Sequence, residues 1–179
     1  MPWVLDDYDI PETSYALSKL GAQLVKKTAL KYSTPEKPIY VLGSIGPGTK
    51  LPSLGHIKYD DMYEGYKIMA QGLADGGTDI FLLETCQDPL QIKAALHALT
   101  DTAPHIPIMV SVTIELSGTM LIGTDAMTIA AIMAPFNIWI WNLITSCSWY
   151  RLKTSSPCSA MRPARSSVRT EETPMNMAD

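Results

Sequence analysis

A carboxylate stands directly after an apolar run at Ile80-Phe81-Leu82-Leu83-Glu84. A strand of that composition is buried, and an acid at its end is costly to leave unpaired unless it opens onto a polar pocket or a cationic ligand. Glu84 is therefore the leading candidate for contact with a positively charged group, set against the plainer reading of a solvated or ion-paired loop acid. Two residues on, Cys86 has the chemistry of a nucleophile or metal ligand, but a lone thiol at a strand end is more often a small buried filler. His56, His97 and His105 share no motif, and His97 lies inside a helical segment where a structural role suffices. Cys86, Cys147 and Cys158 show no CxxC spacing, so neither a disulfide framework nor a self-contained zinc site follows. No residue is assigned to catalysis or to a metal.

These groups need elements to position them. Ser14 to Tyr32 sets Leu17, Leu20 and Leu24 on one face with lysines opposite, an amphipathic helix. Ile39 to Leu42 reads as a strand, closed by the turn-rich Gly43-Ser44-Ile45-Gly46-Pro47-Gly48. Asp60 to Leu73 is helical, with Met62, Tyr66, Met69 and Leu73 on one side, and Gly76-Gly77 stops it. Asp79 to Glu84 is a buried strand, and Asp88-Pro89 gives an N-cap and a first-position proline to a helix striped by Ile92, Leu96 and Leu99. Pro107 to Ile114 is the next strand, Ser117 to Gly123 a glycine-bounded loop, and Thr124 can cap a helix carrying Ile129, Ile132 and Met133. Pro135 to Ile138 then starts a further strand. Strands and helices in alternation, with strands apolar on both faces, argue for parallel βα units with right-handed crossovers. No GxGxxG or GxxxxGK[ST] phosphate loop is present, which favours a β/α barrel over a nucleotide-binding sheet and directs attention to the strand ends at Gly43–Gly48, Glu84–Asp88 and Ser111–Gly118.

Four phrases carry a resemblance. They are the GxxGP turn at Gly43 to Pro47, the Tyr66-to-Asp79 phrase with its Gly76-Gly77 pair, the LLET strand end with Glu84-Thr85, and Ser111-x-Thr113 followed by the SGTxLxG loop at Ser117 to Gly123. Together they resemble the homocysteine-binding barrel of the cobalamin-dependent methionine synthase family over roughly residues 8 to 138. The resemblance implies an α/β fold, a partial (β/α)8 TIM-type barrel holding the central βα units, with homocysteine at its C-terminal mouth. In the intact family the homocysteine sulfur joins a zinc ion held by three cysteine thiolates and takes a methyl group that methyltetrahydrofolate and methylcobalamin supply. Carried over residue by residue, the substrate-binding candidates are Glu84, Gly46, Ser111 and Thr113, with Glu84 facing the amino group of homocysteine. The departures imply a fragment inactive alone that binds neither cofactor. Two opening strands should precede Asp9, and where a Gly-x-Asn-Cys phrase should supply a zinc ligand the chain reads Trp139 to Cys147. The closing Gly-Gly-Cys-Cys phrase is absent, and Cys158 does not substitute for it.

Composition sets the remaining bounds. The 179 residues are 46% hydrophobic and 18% charged, enough for one domain with a sizeable core. A net charge of -4, with no lysine and arginine cluster among aromatics, argues against nucleic acid. No secretory signal opens the chain, so the default location is cytoplasmic. Residue usage changes near residue 139: every arginine lies at or after Arg151, and three of four tryptophans fall between 139 and 149. The reading is a partial barrel over 1–138 and a divergent segment over 139–179, disordered from Thr154 on and either a natural tail or, as favoured here, the product of a shifted reading frame. Two alternatives stand beside the methyltransferase fragment. One is membrane association through the uncharged stretch 126–150; the other is partner binding or self-association through open sheet edges.

Overall fold

Parallel strand pairing organises the chain. A computed structural model describes residues 1–136, 138–145 and 148–152. Strands β1 (Leu42–Ile45), β2 (Ile80–Cys86), β3 (Ile108–Ile114) and β4 (Ile138–Thr145) pair in parallel and in chain order, and β5 (Ser148–Leu152) turns back antiparallel on β4. The short α1 (Pro2–Leu5) and the long α2 (Ser14–Tyr32) precede β1, and α3 (Tyr59–Asp75), α4 (Pro89–Thr102) and α5 (Ala126–Met133) form the crossovers. The protein is thus α/β, with the strand and helix alternation that the periodicity predicts.

Local chemistry accounts for the helix boundaries. In α3, Asp60 and Asp61 occupy the first turn, where the helix dipole favours negative charge. In α4, Asp88 accepts a hydrogen bond from the Leu90 amide and Pro89 takes the first helical position. The cap of α5 is Asp125 rather than Thr124, its carboxylate accepting from the Thr128 amide at 2.8 Å.

The first strand lies three residues later than the sequence suggests and runs through Gly43 instead of stopping there. The glycine answers a packing demand, since a Cβ at Gly43 would stand 2.8 Å from the Thr78 methyl and 3.2 Å from Leu73. Upstream, Val41 is held at the sheet margin by Asp79, whose side chain accepts from the Val41 amide at 2.7 Å and whose own amide donates to the Val41 carbonyl at 2.9 Å.

Because side chains alternate along a strand, the register divides the sheet into two faces. Ile45, Phe81, Leu83, Val110 and Val112 point to the helices and are essentially inaccessible, packed with Met62, Tyr66 and Ala70 of α3, Ile92, Leu96 and Leu99 of α4, and Ile129 and Met133 of α5. On the opposite face Leu42, Ile80, Leu82 and Met109 are half-buried or exposed. Helix α2 packs on α3 through its small residues, where a Cβ at Gly76 would meet that of Ala22 at 2.4 Å. Its leucine stripe is not the packing face: Leu17, Leu20 and Leu24 are 49%, 63% and 67% exposed. The uncharged stretch 126–150 contributes α5, β4 and the start of β5, and no helix among the described residues is long and apolar enough to cross a membrane. The segment from Thr154, read as disordered, lies outside the described residues, as do Asn137 and Cys147.

Asp79 also accepts from Lys26 Nζ at 2.5 Å, tying α2 to the base of β1 and β2. Burial alone would raise its carboxyl, but the Lys26 ammonium and the Val41 amide outweigh it and hold the group below its ordinary value. A depressed carboxyl stabilises the fold above the unfolded value of about 4, and the contribution fades as pH falls through the folded value. Asp79→Ala is therefore expected to weaken Val41 amide protection by about tenfold near neutrality, roughly 1–2 kcal/mol for a charge-assisted bond that is partly exposed. Hydrogen exchange read by mass spectrometry or NMR checks this, and the difference from the parent chain should shrink below about pH 4.

Candidate functional site

Strand β2 does not end at Glu84. It continues to Cys86 through a slip in register, Leu83 pairing with Val110 but Cys86 with Val112, so that three residues of β2 advance against two of β3. The slip is made at Thr85, whose φ of 61° lies in the left-handed region that a β-branched residue rarely enters. The bulge leaves Glu84 on the side of the sheet that Leu82 faces and returns Cys86 to the helix side. There burial pushes the Cys86 thiol well above its usual range, and it is a filler rather than a nucleophile.

Across the β1–β2 pair, the Ser44 hydroxyl donates to the Glu84 carboxylate. Ser44 pairs with Leu82, and Leu82 with Met109, so Ser44, Leu82, Met109, Ser111 and Thr113 share the face that α3 and α4 do not cover. The hydroxyl oxygens of Ser111 and Thr113 are buried and find no hydrogen-bond partner. A buried hydroxyl left unpaired costs about 1–3 kcal/mol, so polar atoms of this kind mark a place where a ligand or water completes the structure. Gly46 follows β1 at the same end, its carbonyl 3.5 Å from the Tyr66 hydroxyl, with open space where a side chain would stand.

The structure therefore brings Glu84, Ser111 and Thr113 to one face of adjacent parallel strands, Ser111 at the middle of β3 and Glu84 and Thr113 nearer the C-terminal ends, with Gly46 at the rim. The histidines lie elsewhere. His97 Nδ1 is 2.7 Å from the Tyr59 hydroxyl between α3 and α4, His56 accepts from the Leu51 amide in a loop, and His105 precedes β3 at the opposite end of the sheet. Ser44 is the residue that sequence reading missed, because the segment around it reads as turn. Its bond to Glu84 joins residues 40 positions apart, which no local pattern signals.

Among the described residues, no three His, Cys, Asp or Glu side chains converge in a way that could hold a metal ion. Cys86 faces the helices, and Cys147 and Cys158 lie outside the described residues. The described side chains do not compose a thiolate triad.

The chain is an α/β protein whose parallel sheet carries Ser44, Glu84, Ser111 and Thr113 on the face that α3 and α4 leave uncovered. The family model described as homocysteine S-methyltransferase matches residues 2–162, and the chain belongs to that family. It is 44% identical over 138 residues to the methionine synthase of Mycobacterium leprae (strain TN), covering 75% of this chain and 11% of that protein. It is 46% identical over 125 residues to the methionine synthase of Mycobacterium tuberculosis (strain ATCC 25618 / H37Rv), covering 68% and 10%. The chain thus spans about a tenth of the length of these relatives. The crystal structure of the homocysteine methyltransferase MmuM from Escherichia coli, in its apo form, matches with a TM-score of 0.64 at 23% identity, over 74% of this chain and 49% of that one. At that identity the match shows a shared fold.

The left-handed backbone at Thr85 carries a testable cost. Thr85→Gly should relieve strain of about 1 kcal/mol net of glycine's added chain entropy and slow exchange of the Cys86 amide by roughly fivefold. Thr85→Pro, fixed at negative φ, should do the reverse.

Proposed function

We propose that residues 1–138 form part of a β/α barrel whose inner face receives homocysteine, and that this chain supplies the amino-acid-binding wall without completing the methyl-transfer site. The observation that carries the reading is that one carboxylate, Glu84, shares the uncovered face of the sheet with two buried hydroxyls, Ser111 and Thr113, that lack hydrogen-bond partners. Homocysteine offers an ammonium for the carboxylate and a carboxylate for donors on the opposite rim, and Ser44 holds Glu84 for the first of these. In the intact family the resemblance assigns the thiol to zinc and the methyl group to methylcobalamin. Among the described residues no three side chains converge to hold a metal ion, so the chain is proposed to bind substrate without turning it over.

Isothermal titration of the purified chain with L-homocysteine tests this. Saturable binding is expected, weakened at least tenfold by Glu84→Gln, which keeps size and removes the charge opposite the ammonium. The same sample given zinc and methylcobalamin should form no methionine above the uncatalysed rate. Absence of homocysteine binding, or indifference to Glu84→Gln, counts against the reading.

A second observation favours self-association beside this function. The outer edge of β1 has no neighbouring strand among the described residues, and Leu42, Tyr40 and the α2 leucines around it are exposed. A cleft of about 260 Å³ between α2 and β1 is lined by Leu17, Val25, Leu42 and Met69. Apolar surface of that kind beside an open strand edge invites pairing with another chain. The isolated chain is expected to elute above its 19.6 kDa mass in light-scattering chromatography and to bind hydrophobic dyes. A monodisperse, dye-silent monomer would oppose this.

A further inference from the structure

The loop from Gly46 to Ser53 brings Gly46 to the candidate site; Pro47 and the 3-10 turn at Pro52–Leu54 shape it locally, but neither fixes where it sits against the sheet. It is held from below by the first turn of α4. Asp88 is fully buried, and its two oxygens divide their work: Oδ1 accepts from the Leu90 amide at 2.8 Å and the Ser53 hydroxyl at 2.6 Å, while Oδ2 accepts from the Ser53 amide at 2.9 Å. Capping α4 needs only the first oxygen, and an exposed serine or asparagine would do it as well. Burying a whole carboxylate is costly unless its lone pairs are met, and here the second oxygen is met by the loop. One turn on, Gln91 is equally buried and its side-chain amide donates to the Pro47 carbonyl. The start of α4 thus grips the loop near both ends, at Pro47 and at Ser53. Between these points Trp3 lies under Gly48, where a Cβ would stand 2.8 Å from its Nε1.

We propose that Asp88 is a positioning residue for the homocysteine site, acting through the loop 46–53 and not on the ligand, with Gln91 as its partner. The inference rests on the reading of the site given above. A loop so clamped presents Gly46 beside Ser44 and Glu84 already in place, so the ligand does not bear the cost of ordering it.

Asp88→Asn separates the two duties. The asparagine oxygen retains the bonds to Leu90 and to the Ser53 hydroxyl, so α4 stays capped, while its NH2 group faces the Ser53 amide donor to donor. In the full chain, hydrogen exchange is expected to show unchanged protection of α4 but at least tenfold faster exchange at the Ser53 amide and in neighbouring loop amides. L-Homocysteine affinity should fall by about tenfold. Gln91→Met, which leaves the cap untouched, should loosen the Pro47 end in the same assay and decides the matter if Asp88→Asn also disturbs α4. Unchanged loop protection in both variants, or a freed loop with homocysteine affinity within twofold of the parent chain, would overturn the proposal. A parent chain that binds no homocysteine, with the loop still freed by Asp88→Asn, would overturn the proposed substrate and support the clamp.

Discussion

The register of the parallel strands decides which side of the sheet is sealed by helices and which carries the polar groups. Leu42 to Ile45 aligned with Ile80 to Leu83, and Phe81 to Leu83 with Ile108 to Val110, send Ile45, Phe81, Leu83 and Val110 to a single side. That side meets α3 and α4 and is dry. A shift by one residue in any strand would exchange its two faces and present Ser44 or Ser111 to the apolar core, so the helix packing and the placement of the polar groups are one constraint. With about 25 cal/mol gained per Å² of apolar surface removed from water, the sealed face outweighs any local preference of the strands.

The site is a local exception to that register. Without the bulge at Thr85, strict alternation would place Glu84 and Cys86 on the same face. The extra residue lets Glu84 reach Ser44 while Cys86 joins the core. Strained backbone of this kind persists where the surroundings over-determine it, and here they are the β3 pairing on one side and the buried Asp88 anchor on the other. The chain belongs to the homocysteine S-methyltransferase family, and the strain falls in its LLET phrase.

Much of the fold was legible in the sequence because it is locally encoded. The helix Ser14–Tyr32, the Asp88-Pro89 cap and the strand ending at Ile114 depend on residues within a few positions of one another. The first strand was misplaced because Gly43 reads as a turn by itself and becomes a strand glycine only once Thr78 and Leu73 press against it. The leucines of α2 were visible as a stripe, but a stripe does not say what covers it. Among the candidate site residues, Glu84 is legible after its apolar run, while Ser111 and Thr113 are legible only through the phrases that carry the resemblance. Ser44 and the loop clamp are not, because their bonds join residues 40 and 35 positions apart.

Homocysteine is proposed to bind on the uncovered face of the sheet, toward its carboxyl end. Amide chemical shifts of the isotope-labelled chain, followed as L-homocysteine is added, test it most directly. Saturable changes are expected, confined to Ser44–Gly48, Glu84–Cys86 and Ser111–Thr113, with the amides of α2 and of the His105 loop undisturbed. Changes centred on the α2–β1 cleft, or none at saturating ligand, would contradict it.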